Sequence, residues 1–285
     1  MKDIQKEKIN YDKSFKKLRF IKSFSNKTLV KLANKVIKFI NIFYLKNYKD
    51  VKIKKINDHG LKIIKLDVGS NKAICYFHGG GFWFDISYAE IKKCYLYARL
   101  TNRNVYIIDY TLSYDKPFPA NLFDGILGYK YIKDIDKINE IVIMGASAGG
   151  FIALNVCKEV QNYQVKPTKL SLIYPVITKT KTKSKMLFTD TIMWNNKLND
   201  KMWEVYCPNK KPQVFDEAIN CPVYIENCEF DPLRDEAKLF YNFLVKCGVD
   251  AVMNETKKTP HGYDCVEKSK ITKENIKKRI DFIND

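Results

Sequence analysis

The chain has 285 residues, 46% of them hydrophobic and 29% charged, which is the composition of a globular protein and excludes a disordered or fibrous one. A chain of this length buries a large core without disulfides or structural metals. The formal net charge is +18, yet residues 1–57 alone hold 17 Lys or Arg against 4 Asp or Glu. The basic surplus is therefore concentrated in an N-terminal arm. It does not indicate a nucleic-acid-binding surface, which would need basic and aromatic residues spread over one face.

The N-terminal arm, residues 1–48, is predicted to be helical. Polar residues recur every three or four positions from Leu29 to Leu45, as in an amphipathic helix. The predicted polar stripe comprises Lys31, Asn34, Lys35, Lys38 and Asn41. The predicted apolar face comprises Leu29, Val30, Leu32, Val36, Ile37, Ile40, Phe43 and Tyr44. No secretory signal or membrane span is expected, because the most apolar run is far shorter than the ~20 residues that cross a bilayer. The expected location is cytoplasmic.

Beyond the arm, predicted strands and helices alternate. The strands are Val51–Ile56, Leu61–Val68, Ala73–Phe77, Asn104–Tyr110, Glu140–Met144, Leu170–Val176, Pro222–Asn227 and Ala251–Glu255. The helices are Ser87–Leu100, Pro119–Ile132, Phe151–Gln161, Asp235–Cys247 and Glu274–Ile283. Repeated strand–helix units predict an α/β fold with a central, mostly parallel, eight-stranded sheet and helices on both faces.

Residues 49–285 are predicted to form one domain with an insertion at about 177–219. This segment is too long for a plain crossover between two strands, so we expect it to lie above the sheet. Its first part, Thr178–Lys185, alternates Thr or Ser with Lys and is expected to be a solvated polar run.

A serine flanked by glycines follows the apolar strand that ends at Met144. The run Gly145-Ala146-Ser147-Ala148-Gly149-Gly150 has the spacing G-x-S-x-G and opens a predicted helix. A nucleophile on a sharp strand-to-helix turn lies close to neighbouring backbone, and glycine leaves the room it needs. The pattern alone also fits a glycine-rich connection with an incidental serine, but its strand and helix context favours a nucleophile at Ser147.

A second glycine-rich run, His78-Gly79-Gly80-Gly81-Phe82, follows the strand Ala73–Phe77. Successive glycines allow backbone N–H groups to point at one position, where they stabilise the oxyanion formed when a carbonyl is attacked. A phosphate-binding loop is the alternative. The run lacks the spacings G-x-G-x-x-G and G-x-x-x-x-G-K-[ST] that such loops use.

A nucleophilic serine needs a base, and the chain has three histidines. His59 lies in a predicted surface turn, and the ring of His78 is expected to order the glycine loop. His261 follows the last predicted strand and is the favoured base. The orienting acid is expected in the loop after the preceding strand, where Asp231 is favoured over Glu229 and Asp235. Asp235 is expected to face solvent or cap the next helix.

Together these motifs resemble those of the hormone-sensitive-lipase-like carboxylesterases, a family with the α/β-hydrolase fold. The similarity extends to Asp109–Ser113, Lys116–Ala120, Asp231–Glu236 and His261-Gly262, and it covers roughly residues 50–285. The chain order Ser147, Asp231, His261 is the one that α/β-hydrolases use. The resemblance implies Ser147 as nucleophile, His261 as base, Asp231 as its partner, and an oxyanion hole from Ala148 and from Gly80 and Gly81 (or Gly79), with support from His78, Gly145 and Gly149.

The expected activity is hydrolysis of small, short-chain acyl esters through an acyl-enzyme, with no metal or organic cofactor. Amide hydrolysis, deacetylation, lipase activity and non-catalytic binding of a small ligand on the same fold remain alternatives. The eight cysteines are scattered without metal-site spacing, and most lie in apolar runs, so we expect buried thiols. The sequence does not indicate an oligomeric state.

Three roles compete for the basic arm. It forms a plain surface helix, a cap whose apolar face closes over the acyl pocket, or a peripheral contact with an anionic membrane. The resemblance implies a cap built from the arm and the insertion, so the cap is favoured, and membrane contact is compatible with it.

Overall fold

The computed structural model describes residues 9–21, 23–45, 48, 52–58, 60–208, 215 and 217–285. His59 lies outside these residues, and so does the side chain of Tyr44. The strands are β1 (Lys52–Asp58), β2 (Leu61–Asp67), β3 (Lys72–Phe77), β4 (Asn104–Ile108), β5 (Glu140–Ala146), β6 (Pro167–Ile173), β7 (Val223–Phe230) and β8 (Ala251–Pro260). The helices are α1 (Lys27–Tyr44), α2 (Tyr88–Thr101), α3 (Ala120–Lys130), α4 (Ala148–Val160), α5 (Lys183–Leu187), α6 (Asn196–Tyr206), α7 (Arg234–Lys246) and α8 (Lys270–Asn284).

In the described part of the chain, the strands form one eight-stranded sheet in the order β1-β2-β4-β3-β5-β6-β7-β8. The pairings β1–β2 and β2–β4 are antiparallel, and every other pairing is parallel. This confirms the predicted mostly parallel sheet. Because parallel strands end at the same edge, the loops after β3, β5, β7 and β8 meet there, and the functional side chains lie on these loops.

The sheet is covered on both faces, as predicted. Alternate residues of one strand enter opposite cores: Cys75 and Phe77 belong to one, and Ile74 and Tyr76 to the other. The first core is completed by α4 and α7, and the second by α2 and α8. The cysteines Cys75, Cys94, Cys157 and Cys228 are buried in these cores, as expected from their apolar neighbours.

Several element boundaries differ from the sequence expectation, and two of them lie next to residues of the predicted site. Helix α4 begins at Ala148, directly after the serine, rather than at Phe151. Strand β8 continues past Glu255 to Pro260, where it pairs with Phe230 of β7. The described part of the arm contains two helical segments. A short 3₁₀ helix at Lys13–Phe20 precedes α1, which begins where the Asn26 side chain accepts hydrogen bonds from the first backbone N–H groups.

Helix α1 contacts the rest of the protein through a narrower face than predicted. Val30 is 1% exposed, whereas Leu29, Leu32, Val36, Ile40 and Phe43 are all exposed. Asn34 and Asn41, which were expected on the outward polar stripe, point inward instead. The Asn34 amide bonds to the Trp83 carbonyl (2.9 Å) and the Asp85 N–H (3.0 Å), and Asn41 donates to the Ile86 carbonyl (2.8 Å). The correction follows from these backbone groups, which an asparagine can satisfy and a leucine cannot.

The expectation of a solvated run at Thr178–Lys185 holds for only half of its residues. Thr178, Thr182, Ser184 and Lys185 are buried, whereas 179–181 and Lys183 are exposed. The Lys185 ammonium forms an ion pair with the buried carboxylate of Glu236 on α7 and donates to the Thr180 carbonyl (3.0 Å). The segment packs on α7 because these paired groups lose little by leaving water.

Candidate active site

Ser147 occupies a sharp turn between β5 and α4. Its φ of 53° and ψ of −121° are unusual for a residue with a side chain and cost about 1–3 kcal/mol. Backbone hydrogen bonds hold the turn: the Ser147 N–H donates to the Ile173 carbonyl, and the Ser147 carbonyl accepts from Gly150 and Val176, each at 2.9 Å. The strained turn presents the hydroxyl at the edge of the sheet where the strands end.

The two glycines that flank the serine are required by close backbone contacts. A Cβ atom at Gly145 would lie 2.2 Å from the Gly149 carbonyl oxygen. A Cβ atom at Gly149 would lie 2.1 Å from the carbonyl oxygen of Phe77, at the end of β3. Any side chain at either position would force the strand, the turn and the helix apart. The G-x-S-x-G spacing therefore has a steric cause in this chain.

The structure brings Ser147, His261 and Asp231 together. The Ser147 hydroxyl oxygen lies 2.8 Å from Nε2 of His261, and Nδ1 of the same ring lies 2.6 Å from Oδ2 of Asp231. Asp231 directly follows β7 and His261 directly follows β8, so two neighbouring strands deliver them to the serine. All three residues are buried, with Asp231 fully so. Oδ1 of Asp231 accepts from the Leu233 N–H (2.9 Å), which fixes the carboxylate plane.

The two competing acids are engaged elsewhere. The Glu229 carboxylate accepts from the backbone N–H of Lys258 at 2.6 Å. The Asp235 carboxylate accepts from the Ser184 N–H at 2.7 Å and from the Arg234 side chain at 3.0 Å. Asp235 thus caps the start of the short helix α5, in the inserted segment, rather than its own helix.

The glycine loop lies against the serine. Gly79 approaches the Cβ atom of Ser147 so closely that an added methyl group would be 3.4 Å from it. Gly80 and Gly81 have φ values of 115° and 61°, which orient successive peptide groups in a way that side chains disfavour. Ala148 is the first residue of α4, and helix-terminal N–H groups have no acceptor within their own helix. The three glycines and Ser147 border one cavity.

His78 supports this loop. Its buried ring stacks on Tyr110, with centroids 4.2 Å apart, and its Nδ1 donates to the Gly79 carbonyl at 2.7 Å. The Tyr110 hydroxyl donates to the His78 carbonyl at 2.8 Å. Burial lowers the pKa of His78, so the ring is neutral and acts as a spacer under the loop.

The cavity above the serine has a volume of about 400 Å³ and is lined by the arm, the glycine loop and the insertion. Ile21, Phe24 and Ile37 come from the arm, and Met193 and Trp194 from the insertion. The Ser23 hydroxyl donates to the Met193 carbonyl, which joins the two segments. The centroids of the Trp194 and His261 rings are 6.1 Å apart. The cavity is therefore mainly apolar on its outer side.

A buried ion network adjoins the site, and the sequence analysis missed it. The centroids of the Tyr174 and His261 rings are 4.9 Å apart. The Tyr174 hydroxyl donates a hydrogen bond to Asp264 at 2.6 Å. Asp264 also pairs with Lys93 (2.9 Å) and Arg279 (2.8 Å). Burial raises the pKa of Asp264, but the two cations lower it more, so the pKa lies below its usual range. The sequence signal that could have indicated this network is a charged residue among the buried apolar residues of a helix: Lys93 in α2 and Arg279 in α8.

Within the described residues, no three His, Cys, Asp or Glu side chains are grouped as metal ligands. Over the same residues, no helix has both the length and the apolar character needed to cross a membrane.

Comparison with known proteins gives concordant results. The model of a family described as alpha/beta hydrolase fold matches residues 74–264. Versiconal hemiacetal acetate esterase from Dothistroma septosporum is 27% identical over 241 residues, which cover 72% of this chain and 71% of the relative. A bacterial heroin esterase has a similar structure, with a TM-score of 0.80, 20% identity and coverage of 96% and 97% of the two chains. Esterase LipW from Mycobacterium marinum gives a TM-score of 0.86 at 17% identity, with coverage of 100% and 97%. At these identities the two structures support the fold alone.

Proposed function

Because this chain belongs to the alpha/beta hydrolase fold family and is a hydrolase, we propose that it is a serine carboxylesterase acting on small esters with short acyl chains. The observation that carries the proposal is the continuous path of two short contacts, 2.8 Å from Ser147 to His261 and 2.6 Å from His261 to Asp231. Both contacts have the length of hydrogen bonds along which a proton can be moved.

In the first step, Nε2 of His261 takes the proton of the Ser147 hydroxyl while the oxygen attacks the acyl carbon. Asp231 holds the proton on Nδ1, which leaves Nε2 as the acceptor, and its negative charge stabilises the imidazolium that forms. The alcohol then leaves with the proton from His261, and the acyl group stays on Ser147. In the second step, water gives a proton to the same histidine and attacks the acyl carbon. His261 then returns that proton to the Ser147 oxygen as the bond between this oxygen and the acyl carbon breaks, which releases the acid and restores the serine.

The tetrahedral oxyanion of both steps needs donors placed beside the serine. We assign these to the backbone N–H groups of Ala148, Gly80 and Gly81. Ala148 stands at the N-terminus of α4, where the helix dipole favours negative charge. A Cβ atom at Gly79 would be in van der Waals contact with the Ser147 Cβ atom at 3.4 Å, so the loop lies within reach of the serine. Removing one such donor in comparable sites lowers kcat by a factor of about 10²–10³.

The preference for small esters rests on the size and walls of the cavity. A volume of about 400 Å³ is at the lower end of the range for small-molecule sites. Apolar residues of the arm and the insertion close its outer side. The relative named versiconal hemiacetal acetate esterase acts, by its name, on an acetate ester, which supports an acetyl or similarly short acyl group here.

The proposal is tested with p-nitrophenyl esters from acetate to palmitate. We expect kcat/KM to be highest for the shortest chains and to fall steeply for chains too long for the cavity. Ser147→Ala should lower kcat/KM by about 10⁴-fold or more, because the remaining groups cannot form the acyl-enzyme. Ser171→Ala is the matched control, since Ser171 is a fully buried serine on the adjacent strand β6. Equal activity of Ser147→Ala and the control would overturn the nucleophile, and a maximum at palmitate would overturn the short-chain preference.

A further inference from the structure

The outward side of α1 carries an exposed apolar row and a basic row, and neither row takes part in closing the cavity. At about 100° per residue, its side chains fall into three stripes. The first stripe faces the protein and contains Val30, Ala33, Asn34, Ile37 and Asn41. Ala33 and Ile37 line the cavity, and the two asparagines bond to backbone next to the glycine loop. The side chains of the other two stripes are mostly exposed, although two lysines of the basic stripe also reach carboxylates of the protein body.

The second stripe is apolar and exposed. It spans an arc of about 100° on the helix and contains Leu29, Leu32, Val36, Phe39, Ile40 and Phe43. Their exposed fractions run from 38% for Ile40 to 61% for Phe39. The Phe39 and Phe43 rings pack on each other, with centroids 4.9 Å apart, outside the core. Single exposed apolar residues are common, but a continuous row of this kind marks an interaction surface.

The third stripe is basic and lies beside the apolar one. Lys27, Lys31, Lys35 and Lys38 fall within about 80° of arc. The helix sequence from 27 to 44 contains no Asp or Glu. Lys31 and Lys38 reach Asp115 (3.2 Å) and Asp85 (3.3 Å), yet their side chains remain 53% and 61% exposed. The preceding 3₁₀ helix adds Lys13, Lys16, Lys17 and Arg19, followed by the exposed ring of Phe20.

We propose that the outward face of α1 docks on an anionic lipid surface, with the apolar stripe in the acyl-chain boundary and the lysines at the headgroups. An apolar row beside a lysine row, on a helix too polar to cross a bilayer, is the pattern of a helix that lies in the membrane plane. Charge complementarity distinguishes this occupant from a second copy of the chain. Two α1 helices packed face to face would bring two sets of four lysines together without any carboxylate from either helix.

Docking would place the lipid surface beside the cavity. Ala33 and Ile37 of α1 line the cavity, and at about 100° per residue they lie next to Leu29 and Ile40 of the apolar stripe. Docking itself does not depend on catalysis. Ser147→Ala protein should therefore bind lipid as the unmodified protein does, which separates a failure of this inference from a failure of the proposed function.

The test is co-sedimentation with large unilamellar vesicles of phosphatidylcholine alone or with about one third phosphatidylglycerol. We expect at least tenfold stronger binding to the mixed vesicles at low salt. Binding should weaken sharply near 1 M salt, where the Debye length is about 3 Å. Two double variants address the two stripes: Leu32→Ser with Phe39→Ser, and Lys27→Gln with Lys35→Gln. Each should reduce the vesicle partition coefficient by roughly tenfold or more.

Matched controls carry the same substitutions elsewhere on the surface. Leu100→Ser with Phe123→Ser removes two side chains that are 56% and 59% exposed on α2 and α3. Lys270→Gln with Lys277→Gln removes two exposed lysines of α8. Thermal unfolding checks that every variant folds. The inference is overturned if the α1 variants and the controls bind alike, or if both vesicle types bind equally. Dimerisation that the Leu32 and Phe39 changes abolish, without any vesicle binding, would overturn it in favour of a second copy of the chain.

Discussion

Asp231 and Asp264 are two buried carboxylates in neighbouring loops at the same edge of the sheet, and they have opposite surroundings. Asp231 follows β7 and bonds to the His261 ring and to one backbone N–H. Asp264 follows β8 and pairs with the side chains of Lys93 and Arg279. Both are at most 1% exposed. Burial is thus the same for both, and the partners differ.

This difference in partners suits the Asp231 carboxylate to a role in catalysis and the Asp264 carboxylate to a role in stabilising the fold. The partner of Asp231 is an imidazole that can gain and lose a proton, so charge can form beside the carboxylate during a reaction. The partners of Asp264 are two cations whose charge does not change, and the network holds Tyr174 against the His261 ring. We therefore expect substitutions at Asp231 to affect mainly rate and substitutions at Asp264 to affect mainly stability.

The largest expected effect is on catalysis by Asp231→Asn. An amide keeps the shape of the side chain but can stabilise the wrong tautomer of His261, so kcat should fall by about 10⁴-fold. Steady-state hydrolysis of p-nitrophenyl acetate measures it. Asp235→Asn is the control and should stay within a few-fold of the unmodified enzyme, because that carboxylate caps α5. The reverse pattern would assign the acid role to Asp235.

The second effect is on stability and concerns Asp264→Asn. Removing this charge leaves Lys93 and Arg279 buried with less compensation, which costs about 3–5 kcal/mol of unfolding free energy. Urea unfolding measures the change. Asp281→Asn is the control, because its pair with Lys277 is exposed and such pairs contribute at most about 1 kcal/mol. A similar loss in both variants would show that the buried network does not stabilise the fold.

A third, smaller effect concerns the pH dependence of that stability. The pKa of Asp264 in the folded protein lies below its usual value, because the two cations outweigh burial. The stabilisation is therefore fully present above the unfolded pKa of about 3.9 and is lost as the pH falls toward the folded-state pKa. Asp264→Asn lacks this component, so its unfolding free energy should decline less steeply below about pH 4. Urea unfolding at several pH values tests this, and parallel curves for the variant and the unmodified protein would contradict it.

The parts of the molecule that local rules determine could be predicted from the sequence. Buried strands such as β5 are short apolar runs, and the turn at Ser147 follows from glycines that backbone contacts require. The positions of Asp231 and His261 directly after predicted strands place both at one edge of the sheet, because parallel strands end at the same edge. The roles of these residues in catalysis stay predictions until the variants are measured.

The parts that distant segments determine could not be predicted. Lys93 and Arg279 are far apart in the sequence, and only the packing of α2 and α8 on the sheet brings both of them to Asp264. The periodicity of α1 showed that its faces differ but not which face has partners. The partners of Asn34 and Asn41 are carbonyl and N–H groups in the loop before α2, and sequence spacing carries no information about them.

The smallest expected effect concerns Asn34, whose contacts with the loop involve no charge on either side. Asn34→Ala removes the bonds to the Trp83 carbonyl and the Asp85 N–H, and both backbone groups then lose their partner. Net hydrogen-bond contributions of about 0.5–1.5 kcal/mol predict a loss of about 1–2 kcal/mol, well below that of Asp264→Asn. Urea unfolding measures the loss, and limited proteolysis of the arm shows whether α1 detaches. Lys35→Ala, on the exposed side of the same helix, should change stability by less than about 0.5 kcal/mol. If Asn34→Ala destabilises no more than Lys35→Ala, then the Asn34 hydrogen bonds do not help to hold α1 against this loop.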